Sequence, residues 1–169
     1  LKQIKGFPNY YISACGEIYT LNHDVWSKKV TQKNKKYGYY CVNLYRKCKA
    51  YKKYIHVLVY EAYKGPVPKS CVVDHIDRNI ENNTIDNLRK ANRSQNRINA
   101  VKLKQTTSKH KGVYWDKAKS RWIAVLGYKG KVHYIGSYLD ECKAALAYNT
   151  LCQKLYGEFA LLNKVDICQ

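Results

Sequence analysis

Gly65-Pro66-Val67-Pro68 divides the sequence between two kinds of pattern. Upstream, residues 55–63 carry apolar side chains at 55, 58, 59, 62 and 63, the spacing of a buried helical stripe. A proline cannot continue a helix and biases its predecessor toward extended backbone, so the stripe ends there. Downstream, Cys71-Val72-Val73 is a short apolar strand running into Asp74-His75. The Asn/Asp-rich run 77–87 is turn-forming, because these side chains bond their own main chain and tolerate left-handed backbone. Ser94 is placed to cap a helix through about Leu103 that includes Asn96, Arg97 and Asn99. Strand, loop, short strand and helix make a compact ββα unit.

The flanks read differently. Residues 10–13, 16–19 and 37–45 are aromatic and β-branched, punctuated by Gly and Asn, and predict short strands with lysine-rich connections that include Lys35 and Lys36. Residues 104–109 are polar and read as a linker. Beyond them, residues 112–115, 121–126 and 132–135 predict three strands joined by loops short enough for an antiparallel meander. Asp140 caps a helix with Ala144, Tyr148, Leu151, Cys152 and Leu155 on one face, and Gly157 stops it. The expected fold is therefore α+β. It comprises a basic β-rich module over 1–68, a ββα unit over 69–103, a linker over 104–109, and a three-stranded sheet packed on one helix over 110–169.

Charge follows this division. The formal net charge of +19 splits into +11 over residues 1–70, +1 over 71–100 and +7 over 101–169. Self-repulsion on this scale calls for a polyanion, nucleic acid first and an anionic membrane surface second. A hydrophobic content of 46% with 17 tyrosines excludes a disordered basic tail. No run of about 18 apolar residues spans a bilayer and no signal-peptide pattern opens the chain, so the expectation is a soluble cytoplasmic protein that is not secreted. The sequence lacks Met and begins at Leu1, so residues before it are expected to be missing. The cysteines at 15, 41, 48, 71, 142, 152 and 168 never form a Cys-x-x-Cys pair, which argues for reduced thiols, mostly small core residues, and no structural zinc.

Into the near-neutral centre are crowded Asp74, Asp77, Glu81 and Asp86, with His75 and seven asparagines between Asn79 and Asn99. A protein that only coats phosphates gains nothing from carboxylates there, whereas one holding a divalent cation against a phosphate needs hard oxygen ligands. Asp74 and Asn96 offer such oxygens, and His75 offers an imidazole with an ordinary pKa of about 6.5, hence mostly neutral and basic. Two protein ligands leave positions for water and phosphate, which suits one Mg²⁺ or Mn²⁺. Adjacent strand side chains point to opposite faces, so Asp74 and His75 can serve one phosphate only where the strand ends, twists or bulges. From the residues alone, a set of turn hydrogen bonds accounts for the same pattern.

The run from Gly65 through Val73-Asp74-His75-Ile76-Asp77, Asn82-Asn83, Asn87-Leu88-Arg89 and Asn96 resembles the HNH (His-Asn-His) endonucleases, in the His-Asn-Asn form of phage intron-encoded homing enzymes. Ile4-Lys5-Gly6-Phe7, Tyr11-Ile12-Ser13 and Gly16-Glu17-Ile18-Tyr19 are similar to the β-rich module that often precedes this motif. The resemblance implies a ββα-metal site with His75 as general base, Asp74 and Asn96 as metal ligands, and Asn87 holding the loop and the His75 ring. Asn99, one turn from Asn96, is the alternative ligand. Arg78 stands where the family often has Gly, and Lys90 where an aromatic residue is common. His56, in the apolar stripe, is expected to be structural or DNA-facing, and His23, His110 and His133 to be surface or sheet residues.

Residues 109–163 resemble the Apetala-two and ethylene-response-factor DNA-binding domain, which implies a sheet lying in the major groove with a helix behind it. Lys111, Tyr114, Arg121 and Tyr134 would then face DNA, joining Lys35, Lys36, Arg93 and Arg97 as candidate contacts, while Trp122 is expected in the core. The combined expectation is a site-specific, metal-dependent homing-type endonuclease on double-stranded DNA, in a phage-infected or bacterial cell, monomeric and nicking one strand. A non-cleaving DNA-binding regulator is the alternative, and an RNA-binding protein with stacking tyrosines is a third.

Overall fold

A computed structural model describes residues 1–101 and 107–165. Its contacts divide the chain into two compact units, Leu1–Ala91 and Asn92–Gln169.

The first unit opens with a four-stranded antiparallel meander, β1 (Lys2–Ile4), β2 (Phe7–Ile12), β3 (Ile18–Asn22) and β4 (Val25–Lys28). A second sheet follows, of β5 (Gln32–Lys33), β6 (Tyr40–Arg46) and β7 (Lys49–Tyr54), and it runs directly into α1 (Ile55–Lys64). The helical stripe is buried as its spacing predicts. Ile55, Leu58 and Val59 pack with Ile4, Phe7, Ile12, Ile18, Val42 and Leu44 from the two sheets. Val73 and Leu88 join this core from β8 (Cys71–His75) and β9 (Leu88–Asn92), which form a two-stranded sheet. At the end of α1 the Lys64 ammonium donates to the carbonyls of Ile85 (3.0 Å) and Leu88 (2.8 Å), tying the helix to the segment that leads into β9.

The second unit begins with α2 (Arg93–Asn99). Its N-cap is Asn92, not Ser94. The Asn92 side chain accepts from the Gln95 amide at 2.9 Å and the Gln95 side chain accepts from the Asn92 amide at 2.8 Å, a reciprocal capping box that satisfies two otherwise orphaned donors. The helix ends at Asn99, short of the expected Leu103, because Ala100 turns to extended backbone as its C-cap; residues 102 and 103 lie outside the described residues. So do residues 104–106 of the expected linker and Cys168. The rest of that linker is built into the fold: Thr107 Oγ1 accepts from the Trp115 amide (2.9 Å), and buried Ser108 donates to Glu141 Oε1 (2.6 Å).

The meander forms as expected, as β10 (Val113–Asp116), β11 (Arg121–Tyr128) and β12 (Lys131–Tyr138), with α3 (Glu141–Tyr156) against one face. Asp140 caps α3 by accepting from the Lys143 amide at 2.8 Å. Val113 and Ala124 meet Ala144 and Ala145, and Trp122, Ile135 and Tyr138 pack around them. The cysteines fill the core less than expected: among the six described, only Cys41 and Cys152 are buried. His110 is buried as well, against the surface position expected for it. Among the described residues no helix is long and apolar enough to cross a membrane.

Close approach of α3 to the sheet entry depends on Gly112. Its φ of +73° is a conformation that side chains rarely adopt, and a Cβ there would lie 2.1 Å from the buried Tyr148 ring. Gly112→Ala should therefore destabilise the second unit by about 2–4 kcal/mol, backbone strain and overpacking together. Urea denaturation followed by far-ultraviolet circular dichroism checks this.

Candidate active site

Asp74 and His75 are the last two residues of β8, and both are nearly inaccessible, at 6% and 4% exposure. The strand stops there: the Ile76 amide bonds to the Asn87 carbonyl (2.9 Å) and the Arg78 amide to the His75 carbonyl (3.1 Å). Their side chains meet different neighbours, as alternation along a strand requires. Asp74 Oδ2 accepts from Arg89 Nε of β9 at 3.0 Å, an ion pair with both partners almost fully enclosed. Such a pair gains little net stability over apolar packing, but loss of either partner leaves a buried charge uncompensated.

The His75 ring meets Asn83. Its Nε2 lies 3.2 Å from Asn83 Oδ1, and the Asn83 Nδ2 donates to the Glu81 carbonyl at 3.2 Å. An amide oxygen can only accept, so in this pairing Nε2 carries a proton, and in the neutral ring Nδ1 is then the basic nitrogen. Asn83 is part of the run that carries the resemblance but has no role assigned from the sequence. Its signal was present only as one more asparagine in a run whose members differ in role by geometry.

Asn87, expected to hold both loop and ring, is bound into the loop. Its Oδ1 accepts from the Asp77 amide (3.0 Å), and its Nδ2 donates to Asp77 Oδ1 (2.8 Å) and the Asn82 carbonyl (2.8 Å). Asp77 also accepts from the Asn79 amide and from Asn82 Nδ2, each at 2.8 Å. Burial works to raise the Asp77 carboxyl, but hydrogen bonds from Asn82, the Asn79 amide and Asn87 outweigh it and hold the group below its ordinary value. Arg78 has φ +65°, which explains why glycine is common at this position in the resembled family.

The candidate residues of the second unit separate by exposure. Asn96 is exposed and Asn99 buried, so the two alternatives differ in exposure. Arg93, Arg97, Tyr114, Arg121 and Tyr134 are exposed, as are Lys35 and Lys36 of the first unit. Lys111 departs from its expected place facing DNA. Its ammonium donates to the carbonyls of Arg97 (3.2 Å), Ile98 and Ala100, closing the C-terminal end of α2, where a cation is favoured by the helix dipole. Among the described residues, no three His, Cys, Asp or Glu side chains converge as a metal-holding group.

His56 fits the structural one of the two roles expected for it. It is buried, its ring centroid lies 5.2 Å from that of His75, and its Nδ1 has no hydrogen-bond partner. Burial first, and the His75 charge second, push its pKa down to about 4. The unfolded chain takes up this proton near the ordinary value of about 6.5, so the unfolded state binds more protons between those values. Stability is therefore lost as pH falls through that window, by up to about 3 kcal/mol from this group. His56→Phe should shrink the stability difference between pH 7 and pH 4.5, measured by urea denaturation, by roughly 2 kcal/mol.

Comparison with known proteins agrees with this geometry. A family model described as HNH endonuclease matches residues 53–98, which span α1, β8, the loop, β9 and most of α2. Protein 3.8 of Escherichia phage T7 is 38% identical over 105 residues, covering 62% of this chain and 86% of that protein. An uncharacterized HNH endonuclease, L560, of Acanthamoeba polyphaga mimivirus is 39% identical over 120 residues, covering 68% of this chain. A solved structure described as DNA binding and cleavage by the HNH homing endonuclease I-HmuI matches with a TM-score of 0.51 and 32% identity, over 56% of this chain. The chain spans only 57% of the mimivirus protein and 53% of the I-HmuI chain. With 86% of the phage protein matched and the motif folded as a two-stranded sheet in which Asp74 and His75 are buried and partnered, the chain belongs to the HNH endonuclease family.

Proposed function

We propose that the protein is a divalent-metal-dependent DNA endonuclease of the homing type that nicks one strand as a monomer. The observation that carries this is the His75–Asn83 hydrogen bond, in which a buried imidazole donates from Nε2, an arrangement that suits Nδ1 to serve as the base. His75 would take the proton from the attacking water at Nδ1 while Asn83 holds the ring by Nε2. Asp74, held by Arg89, and Asn96, by its place in the motif, are the proposed ligands of one Mg²⁺ or Mn²⁺. A carboxylate and an amide oxygen suit such a hard cation, and with few protein donors it keeps sites for water and phosphate. When bound, it would neutralise charge on the phosphate and the leaving oxygen.

The other residues serve binding. Lys35 and Lys36 in the turn before β6, Arg93 and Arg97 on α2, and Tyr114, Arg121 and Tyr134 on the C-terminal sheet are exposed and suited to contact DNA. The exposure of Tyr114, Arg121 and Tyr134 on the C-terminal sheet supports a C-terminal reader of the Apetala-two kind, with its sheet toward DNA and α3 behind. The +11 and +7 flanks imply a steep fall of affinity with salt.

The test is relaxation of supercoiled plasmid carrying a cognate site. The intact protein should convert it to the nicked circle with Mg²⁺ and not with EDTA. His75→Ala should slow this by about 10²–10⁴-fold while DNA affinity persists. Asp74→Ala should abolish cleavage and leave binding. Binding without cleavage by the intact protein, in Mg²⁺ or Mn²⁺, would establish the DNA-binding regulator instead.

A further inference from the structure

One side of α2 faces a groove, within the second unit, that the hydrolytic chemistry does not use. Ser94, Arg97 and Ile98, three and four residues apart and so neighbours on the helix surface, line it together with Tyr128 and Lys131 at the end of the β11–β12 hairpin. Buried Tyr148 and Tyr156 of α3 complete the lining, around a space of about 360 Å³.

The groove is held in shape from both sides. Lys129 and Gly130 have φ +49° and +76°, the two-residue turn whose twist matches that of paired strands, so the backbone at Lys131 is fixed. The Tyr156 hydroxyl donates to the Gly127 carbonyl at 2.6 Å, and its ring meets that of Tyr128 edge-on at 5.5 Å, tying α3 to the hairpin. On the other side the Lys111 ammonium anchors α2 by the carbonyls of Arg97 and Ile98.

Charge decides what fits. Among the described residues the groove is lined by Arg97, Lys111 and Lys131 and by no acidic side chain. Lys111 spends its ammonium on the carbonyls of α2, but Arg97 and Lys131 are exposed and neither pairs with a carboxylate among the described residues. Two fixed, unneutralised cations along one groove suit a chain whose negative charges recur along its length. We propose that the groove holds the phosphodiester backbone of double-stranded DNA, with Arg97 and Lys131 each on a phosphate. The inference deepens the function proposed above and rests on its DNA partner, not on its chemistry. At about 100° per residue, Asn96 lies on the opposite side of α2 from Ser94, so the phosphates held here are not the one at the proposed metal. Tyr114, Arg121 and Tyr134 do not line the groove, which is therefore a second line of contact beside the sheet.

The test is the salt dependence of binding, measured on the full chain by fluorescence anisotropy with a fluorescein-labelled duplex of mixed sequence, in EDTA. Each phosphate contact contributes about 0.9 to the slope of log association constant against log salt. Lys131→Gln and Arg97→Gln should each lower the slope by about that amount and weaken binding about five- to tenfold at about 0.1 M salt. Lys131→Arg should keep the slope, and Lys143→Gln, which removes an exposed charge at the far end of α3, should change neither quantity. Both positions are exposed, so the substitutions leave the core intact. Unchanged slope and affinity in both groove variants, an equal loss in Lys143→Gln, or no binding of duplex by the intact protein overturns the proposal. Unchanged DNA binding with weaker binding of poly-glutamate in Lys131→Gln overturns it in favour of an acidic peptide. If the slope falls but the intact protein does not nick plasmid, the nuclease reading fails and the groove stands. If His75→Ala abolishes nicking while both groove variants keep the full slope, the groove falls and the nuclease stands.

Discussion

Four polar side chains that water barely reaches, Asp74, His75, Asn83 and Asn87, set the terms for the first unit, because buried polar groups must find partners inside the protein. Asp74 is met by Arg89, His75 by Asn83, and Asn87 by Asp77 and the Asn82 carbonyl. These bonds bind a loop with almost no apolar content to a hairpin whose other residues, Val73 and Leu88, sit in the common core. Lys64 ties α1 to the loop's far end. A site of this kind is rigid because its polar groups would otherwise be unsatisfied, and rigidity suits the roles proposed for His75 and Asp74.

Much of this was legible. The 55–63 stripe, the Asp140 cap, the meander and the ββ hairpin before α2 follow from periodicity and turn chemistry that tertiary structure did not override. The elements that escaped were those whose sequence carries no alternation. β7 reads Lys-Ala-Tyr-Lys-Lys-Tyr, and β4 is exposed throughout, so pairing with a neighbour, not a buried face, makes them strands. The α2 start was misplaced by two residues because Ser94 and Asn92 are both good caps. Asn92 with Gln95 three residues on was the stronger signal, since it supplies both halves of a capping box.

The candidate site divides along the same line. Asp74 and His75 could be named as candidates because a carboxylate beside an imidazole suits metal-assisted hydrolysis and the pair stands in the resembled motif. Asn83 and His56 could not, since an asparagine in a turn and a histidine in an apolar stripe are ordinary until folding brings them against one ring. His56 shows the difficulty: the stripe correctly predicts burial but says nothing of what the buried ring touches.

Charge, too, needs the structure before it can be assigned. Lys64 and Lys111 each place an ammonium on backbone carbonyls, and Lys28 and Lys33 pair with Glu17 and Glu81, so part of the excess of +19 holds the protein together. Lys111 matters most here. The family match ends at residue 98, yet the helix carrying Asn96 is only seven residues long, too short to be stable alone, and the cation closing its C-terminal end comes from beyond that match. The same helix packs against the Gly157–Phe159 turn that follows α3. Within the second unit, then, the sheet-and-helix region is a structural support for α2, and its removal at the expected linker would leave that helix without its cap.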